Sequence, residues 1–337
     1  MDDPLTMKIV FHGSNAANFR QGFEQLIEPG HRVVDVGDAL TAPGEAGHYA
    51  SADVIVGIKL DASMPRPEKL RLYQAPAAGT DAIDLTLLPA QSALCNCHGH
   101  EDAIAEYVFA ALLARHVPLA QADADLRRGE WTFWAGRPKA LRSELGGQTL
   151  GLLGFGHISK AIALRAKAFG MRVHAANRGA VVSEHVDHAY ALTDLHAFLA
   201  GVDVVVVTLP LTAQTQGLVD GAALRAMKPA AWLVNVGRGP VVAEQALYDA
   251  LRSRRLSGAL IDTWYQYPTP DQPQRAPSKL DFAALDNVVM TPHMSGWTSG
   301  TVHRRQQMMA DNISRLATGR PLLNVLRPAS TDQTHGD

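Results

Sequence analysis

GQTLGLLGFGHISKAIALRAK, residues 147–167, is a strand, a glycine turn and a helix in immediate succession. TLGLL (149–153) is a short apolar run of strand length, GFGHIS (154–159) breaks it, and KAIALRAKAF (160–169) repeats its apolar residues with helical period. A strand that feeds a helix through G-x-G is the context the dinucleotide fingerprint needs. Gly154 makes the tight turn and Gly156 lets the backbone approach a pyrophosphate. Phe155, His157 and Ile158 surround the amides at the helix N-terminus, whose dipole favours the anion. Ser159 replaces the third glycine of the fingerprint, and its small side chain still permits close packing of helix on strand.

The next strand, RVHAA (172–176), runs into Asn177 and Arg178, about 20 residues past the turn. An acid there would accept hydrogen bonds from the adenosine ribose of NAD, and no acid is present. Asn177 does not repel a 2′-phosphate, and Arg178 can pair with one or stack on adenine. The expected cofactor is therefore NADP or NAD, with NADPH slightly favoured.

Outward from this unit the chain keeps the α/β rhythm. Further strands are expected at 204–209, 232–236, 258–261 and 288–291, giving six in the series that starts at 149. Upstream, strands are expected at 8–11, 32–36, 53–58 and 72–75, again with helical stretches between them. AIAEYVFAALLAR (103–115) is apolar almost all round, which suggests burial between domains or in a subunit interface. LRRGEWTFWAGRPKAL (126–141) loses periodicity and reads as a connecting loop, as does the proline-rich PTPDQPQRAP (268–277). The last strand is followed by a helix at 301–318 and an extended end, too little for a separate core, so the end must return to the first domain. Residues 1–100 plus 297–337 should form a substrate domain, and 101–296 a cofactor domain inserted into it.

Composition narrows the partners. The 337 residues carry 31 basic and 33 acidic groups, a formal net charge of −2, so no basic field exists for nucleic acid or anionic lipid. The most apolar run, VVVVTLPL (204–211), falls far short of the ~20 residues that span a bilayer. The acidic start MDDPLTMKIV has no secretory pattern, so a cytoplasmic protein is expected. Cys95 and Cys97, the two cysteines, fit neither a disulfide framework nor a zinc or redox motif and read as reduced thiols. His98 and His100 have no third ligand at a suitable spacing, so no metal site is expected. The tail Ser330–Asp337 is expected to fray.

Three segments end strands of the cofactor domain, where open α/β sheets bind ligands: NVGRGP (235–240), DTWYQYP (262–268) and TPHMSG (291–296). Together with GLLGFGHIS (151–159), VVVTLPLTAQTQGLVD (205–220), MKPAAWLVNVGRG (227–239), GALIDTW (258–264) and MTPHMSG (290–296), in that order and spacing, the chain resembles the D-isomer-specific 2-hydroxyacid dehydrogenase family from about Gln74 to Asn324. Glyoxylate and hydroxypyruvate reductases, phosphoglycerate dehydrogenase and formate dehydrogenase belong to that family. The resemblance implies two doubly wound parallel-sheet domains, Rossmann-like and flavodoxin-like, and a homodimer for which 103–115 is a plausible contact. It implies that Leu209, Pro210, Thr215, Val236, Gly237, Arg238, His293 and Gly296 line the cofactor site, and that Asp262 holds the nicotinamide carboxamide. It also implies that Ala78 and Gly79, in APAAGTD (75–81), bind the substrate carboxylate through backbone amides.

The chemistry agrees. Arg238 offers a permanently charged fork for a substrate carboxylate and for polarising the carbonyl. His293 can supply the proton that becomes the hydroxyl hydrogen. Hydride from the nicotinamide completes reduction of a 2-keto acid to a D-2-hydroxy acid.

One position departs from the pattern. The family places a glutamate beside the catalytic histidine, and here that position is Tyr267, preceded by Gln266. Either side chain can orient the imidazole by hydrogen bonding, but neither carries the negative charge that stabilises its protonated form. The missing carboxylate motivates one alternative, a formate-dehydrogenase-like oxidation of a small anion; the resemblance supplies a second, a non-catalytic dinucleotide sensor, since some relatives bind partners in this way. Trp264, Tyr265, Tyr267 and Trp297 would crowd the edge of the site and suit a substrate with an apolar or aromatic tail.

Overall fold

The computed structural model describes residues 6–137, 140–269 and 271–330. Residues 331–337 of the expected frayed tail, and three residues of the two expected loops (138, 139 and 270), lie outside the described residues. The chain divides into two compact units, Met1–Gly99 with Thr298–Asp337, and His100–Trp297. The second is thus inserted into the first.

The inserted unit is built on a seven-stranded parallel sheet: β6 (Thr149–Leu153), β7 (Arg172–Asn177), β8 (His188–Ala191), β9 (Val204–Val207), β10 (Trp232–Asn235), β11 (Gly258–Ile261) and β12 (Val288–Met290). Their spatial order is β12-β11-β10-β9-β6-β7-β8, the doubly wound pattern whose order reverses between β6 and β9. The valines of β9 explain its continuous apolar run. Val204 and Val206 pack with Ile104, Val108 and Ile162 on one face, while Val205 and Val207 pack with Phe198 and Leu247 on the other. A strand covered on both faces has no polar side. Each of these buried side chains contributes roughly 1.5–3 kcal/mol.

Two expectations are corrected here. The sheet has seven strands, not six, because the edge strand β8 is mostly exposed (HAYA) and shows no apolar alternation. The helix after the glycine turn spans His157–Ala168, three residues earlier than its apolar period begins. The helix Glu101–His116 buries Ile104, Ala105, Val108, Phe109 and Leu112 within this unit, in the same core as Ile162 and Ala163 of His157–Ala168, with Phe109 stacked 5.0 Å from Phe169. Among the described residues no single helix is long and apolar enough to cross a membrane.

The other unit has β1 (Lys8–His12), β2 (Arg32–Val36), β3 (Val54–Val56), β4 (Leu72–Gln74), β5 (Ala93–Cys95) and, from the chain's end, β13 (Val325–Arg327). The first five are parallel in the order β5-β4-β3-β1-β2, and β13 adds an antiparallel edge beside β5. The helix Ser299–Ala317, capped by the Thr298 side chain on Thr301 N–H, buries Met309, Ala310 and Ile313 against Val54, Val56 and Leu72. Cys95 and Cys97 are free and buried in that core, and burial pushes both thiols up to about 12.

Candidate active site

The C-terminal ends of β6, β7, β9, β10, β11 and β12 carry the candidate residues of the inserted unit. At β6, Gly154 takes φ +93, and a Cβ there would meet the Leu209 and Thr208 side chains at 3.0 Å. Gly156 caps the following helix without a side-chain hydrogen bond, and a Cβ on it would meet nothing within 4 Å. Packing therefore does not require Gly156, which puts no side chain where the helix's N-terminal dipole favours an anion such as a pyrophosphate. Ser159 is fully buried and donates to the Gly154 carbonyl at 2.7 Å, bracing the turn from behind.

Asn177, the last residue of β7, accepts from Phe155 N–H at 3.4 Å and donates to Gly179 O at 3.2 Å, so it ties the glycine turn to the second strand. Arg178 is exposed and forms no hydrogen bond or ion pair with any described residue. After β9, Leu209 and Pro210 begin a loop that Thr215 closes on itself: its hydroxyl donates to Pro210 O at 2.6 Å and accepts from Thr212 N–H at 2.8 Å.

At β10, Asn235 is buried and clamps the turn that carries Arg238. Its side chain donates to the Arg238 carbonyl at 3.1 Å and accepts from Gly237 N–H at 3.2 Å. This residue was not singled out from the sequence; an Asn at a strand end two places before a glycine was the available signal. The glycines of the turn answer to close backbone approaches. A Cβ on Gly237 would lie 2.7 Å from Leu209 O, and one on Gly239 would overlap the Trp264 carbonyl. Val236 is buried beside them, and Arg238 is half-buried.

Asp262, just past β11, is fully buried. It accepts from Thr291 Oγ1 at 2.7 Å, Met294 N–H at 2.9 Å and Ser295 N–H at 3.0 Å. A carboxylate has about four lone-pair sites, so one remains. These bonds hold the loop of His293 and Gly296, in which His293 adopts φ +58, a left-handed conformation uncommon for a side chain of this size.

Tyr267 places its hydroxyl 2.9 Å from His293 Nδ1. Gln266 is turned elsewhere, accepting from Arg275 Nε at 2.8 Å. Desolvation lowers the His293 pKa below that of an ordinary histidine; the Asp262 charge opposes this and the Arg238 charge reinforces it. Burial raises the Tyr267 phenol, which stays protonated. Arg238, Asp262, Tyr267 and His293 thus form one electrostatic cluster. Among the described residues no group of three or more His, Cys, Asp or Glu is placed to hold a metal ion.

The expected aromatic rim is reduced to two members. Trp264 is 5% exposed, with its indole donating to Thr291 O, and Tyr265 packs on Phe282 and donates to Val242 O. Both belong to the core, because each has its polar atom satisfied by backbone. Tyr267 and Trp297 remain open, at 43% and 49%. In the other unit, Ala78 and Gly79 lie half-buried in the loop after β4.

The family profile for D-isomer specific 2-hydroxyacid dehydrogenase, NAD binding domain, matches residues 109–295. A glyoxylate reductase of Aeropyrum pernix is 34% identical over 269 residues, 77% of this chain and 76% of that protein. A D-3-phosphoglycerate dehydrogenase of Archaeoglobus fulgidus is 30% identical over 292 residues, 86% of this chain, and the match spans about half (53%) of that longer protein. The crystal structure of a D-isomer specific 2-hydroxyacid dehydrogenase from Xanthobacter autotrophicus Py2, in complex with NADPH and MES, superimposes with a TM-score of 0.76 at 26% identity, covering 96% of this chain and 98% of that one. With its inserted seven-stranded unit and its Arg238, Asp262 and His293 at the strand ends, the chain belongs to the D-isomer-specific 2-hydroxyacid dehydrogenase family.

Proposed function

We propose that this chain is a 2-keto acid reductase that forms a D-2-hydroxy acid, using NADPH in preference to NADH. The observation that carries the reading is the placement of Arg238 and His293 at the strand ends, with Arg238 close enough to lower the His293 pKa, His293 held by Tyr267 and its loop by Asp262. The bound nicotinamide supplies hydride to C2 of the keto acid. Arg238 pairs with the carboxylate and draws electron density toward the carbonyl oxygen. Protonated His293 gives that oxygen its proton, and Tyr267 holds the ring by Nδ1 so that Nε2 is the acid. Asp262 anchors the His293 loop and has one lone pair left for a carboxamide.

Gly154, Gly156 and the first amides of His157–Ala168 hold the pyrophosphate, and Leu209, Pro210, Thr215, Val236, Gly237 and Gly296 shape the rest of the cofactor site. Arg178 takes the 2′-phosphate; the NADPH named with the Xanthobacter relative supports this choice. In the other unit, Ala78 and Gly79 supply amides for the carboxylate. We assign the protein to the cytoplasm as a homodimer.

The test is turnover of glyoxylate, hydroxypyruvate and aryl pyruvates with NADPH and with NADH, beside formate oxidation. Reduction of at least one 2-keto acid, with higher kcat/KM for NADPH, is expected. Turnover of formate alone would replace this reading with an anion oxidase, and no turnover of any of them with a signalling sensor.

A further inference from the structure

The loop at 75–79 is gripped from one side by buried groups. Cys97 N–H donates to Ala77 O at 3.1 Å, and Asn96 Nδ2 donates to Ala78 O at 2.8 Å. In a trans peptide the carbonyl of one residue and the N–H of the next point in opposite directions. Holding Ala77 O and Ala78 O therefore turns the N–H groups of Ala78 and Gly79 the other way, two consecutive donors facing one side, the arrangement that binds an anion.

Asn96 is itself anchored, its N–H donating to Asn324 O at 3.2 Å, and its side chain is buried with Oδ1 lacking a hydrogen-bond partner. An apolar residue of the same size would avoid that unpaired acceptor, so the Nδ2 bond to Ala78 is what the asparagine contributes. Two further carboxamides, both fully buried, brace the backbone next to the loop at Ala75 and next to Asn96 at Cys95. Gln74 donates to Ala75 O at 3.2 Å and Cys95 O at 3.4 Å, and accepts from Asn312 Nδ2 at 2.8 Å. Asn312 in turn holds Leu323 through both its oxygen and its nitrogen.

We propose that Asn96, backed by the Gln74–Asn312 pair, is a positioning residue that aims the Ala78 and Gly79 amides at the substrate carboxylate. This rests on the reading of 75–81 as a carboxylate-binding loop. The residues act through the loop and do not touch substrate themselves.

The experiment titrates oxamate, a 2-oxo carboxylate analogue, calorimetrically into the NADPH-saturated protein, for wild type, Asn96→Leu and Gln74→Met, with keto acid kinetics and thermal melting alongside. Loss of one aiming hydrogen bond is expected to raise the oxamate Kd and the keto acid KM about tenfold in Asn96→Leu, and less in Gln74→Met, with kcat and NADPH affinity within about twofold of wild type. If Asn96→Leu fails to fold, the near-isosteric Gln74→Met decides. Oxamate binding equal to wild type, or KM and kcat worsening together with the melting temperature, overturns the positioning role alone. A wild-type protein that neither binds oxamate nor reduces a keto acid overturns the functional reading and this proposal together.

Discussion

The hydroxyl of Tyr267 lies 2.9 Å from Nδ1 of His293 and accepts a hydrogen bond from Trp264 N–H at 3.1 Å. One lone pair and the phenolic proton remain, so the tyrosine can accept from Nδ1–H of a charged ring or donate to Nδ1 of a neutral one. It orients the imidazole in both states and adds no charge in either.

The pH dependence of reduction follows from that neutrality. His293 must be protonated to act as the acid, and its pKa is lowered, chiefly by desolvation. The active fraction therefore disappears as pH rises through a value lower than that of an ordinary histidine. Tyr267→Glu puts a carboxylate on the ring and should move the fall of kcat/KM up by about one unit or more. Profiles that coincide for the two proteins would show that His293 is not the titrating acid.

Cofactor preference should respond to two neighbouring positions. Arg178 is exposed and unpaired with any described residue, free to meet a 2′-phosphate. Arg178→Ala should lower kcat/KM for NADPH about tenfold or more and leave NADH nearly unchanged, the loss of a charge-assisted bond. Asn177→Asp retains the acceptor for Phe155 N–H but adds a charge that repels the phosphate, so it should shift preference to NADH. Equal losses for both cofactors in Arg178→Ala would refute the phosphate contact.

Gly237→Ala tests the packing of the Arg238 turn. The new Cβ would lie 2.7 Å from Leu209 O and 3.1 Å from Leu209 N, both backbone atoms that cannot rotate away. The turn must shift, at a cost of about 1–3 kcal/mol. Thermal unfolding should show the destabilisation, and a displaced Arg238 should raise the keto acid KM.

These contacts also explain what was readable from the residues. β6 and β9 were legible because a parallel strand covered on both faces is apolar throughout, and Gly154 because only a turn with φ +93 demands it. β8 was not, since an exposed edge strand leaves no apolar pattern in HAYA. Residue type placed Arg238 and His293, while their supports were hidden. Trp264 and Tyr265 looked like a pocket rim because composition does not reveal that backbone carbonyls satisfy their polar atoms inside the core. Gln266 and Tyr267 were equivalent on paper, and the Arg275 bond to Gln266 separates them. Asn235 and Asn96 act through backbone carbonyls, a role that only the folded chain displays.

Asp262→Asn gives an independent handle on the acid. The aspartate accepts three hydrogen bonds from the loop that carries His293, and an amide NH2 in place of one oxygen would face a donor with another donor. In a fully buried position this should destabilise the inserted unit by about 2–4 kcal/mol, visible as a lower melting temperature. Two effects on catalysis should accompany it. The left-handed backbone at His293 loses its anchors, so kcat should fall by about tenfold or more, as expected for a mispositioned acid. The negative charge that opposes the lowering of the His293 pKa is also lost, so the residual activity should fall off at still lower pH, opposite in sign to the shift in Tyr267→Glu. A variant that melts lower but keeps the wild-type pH profile would leave Asp262 as an anchor and deny it any electrostatic hold on the proton.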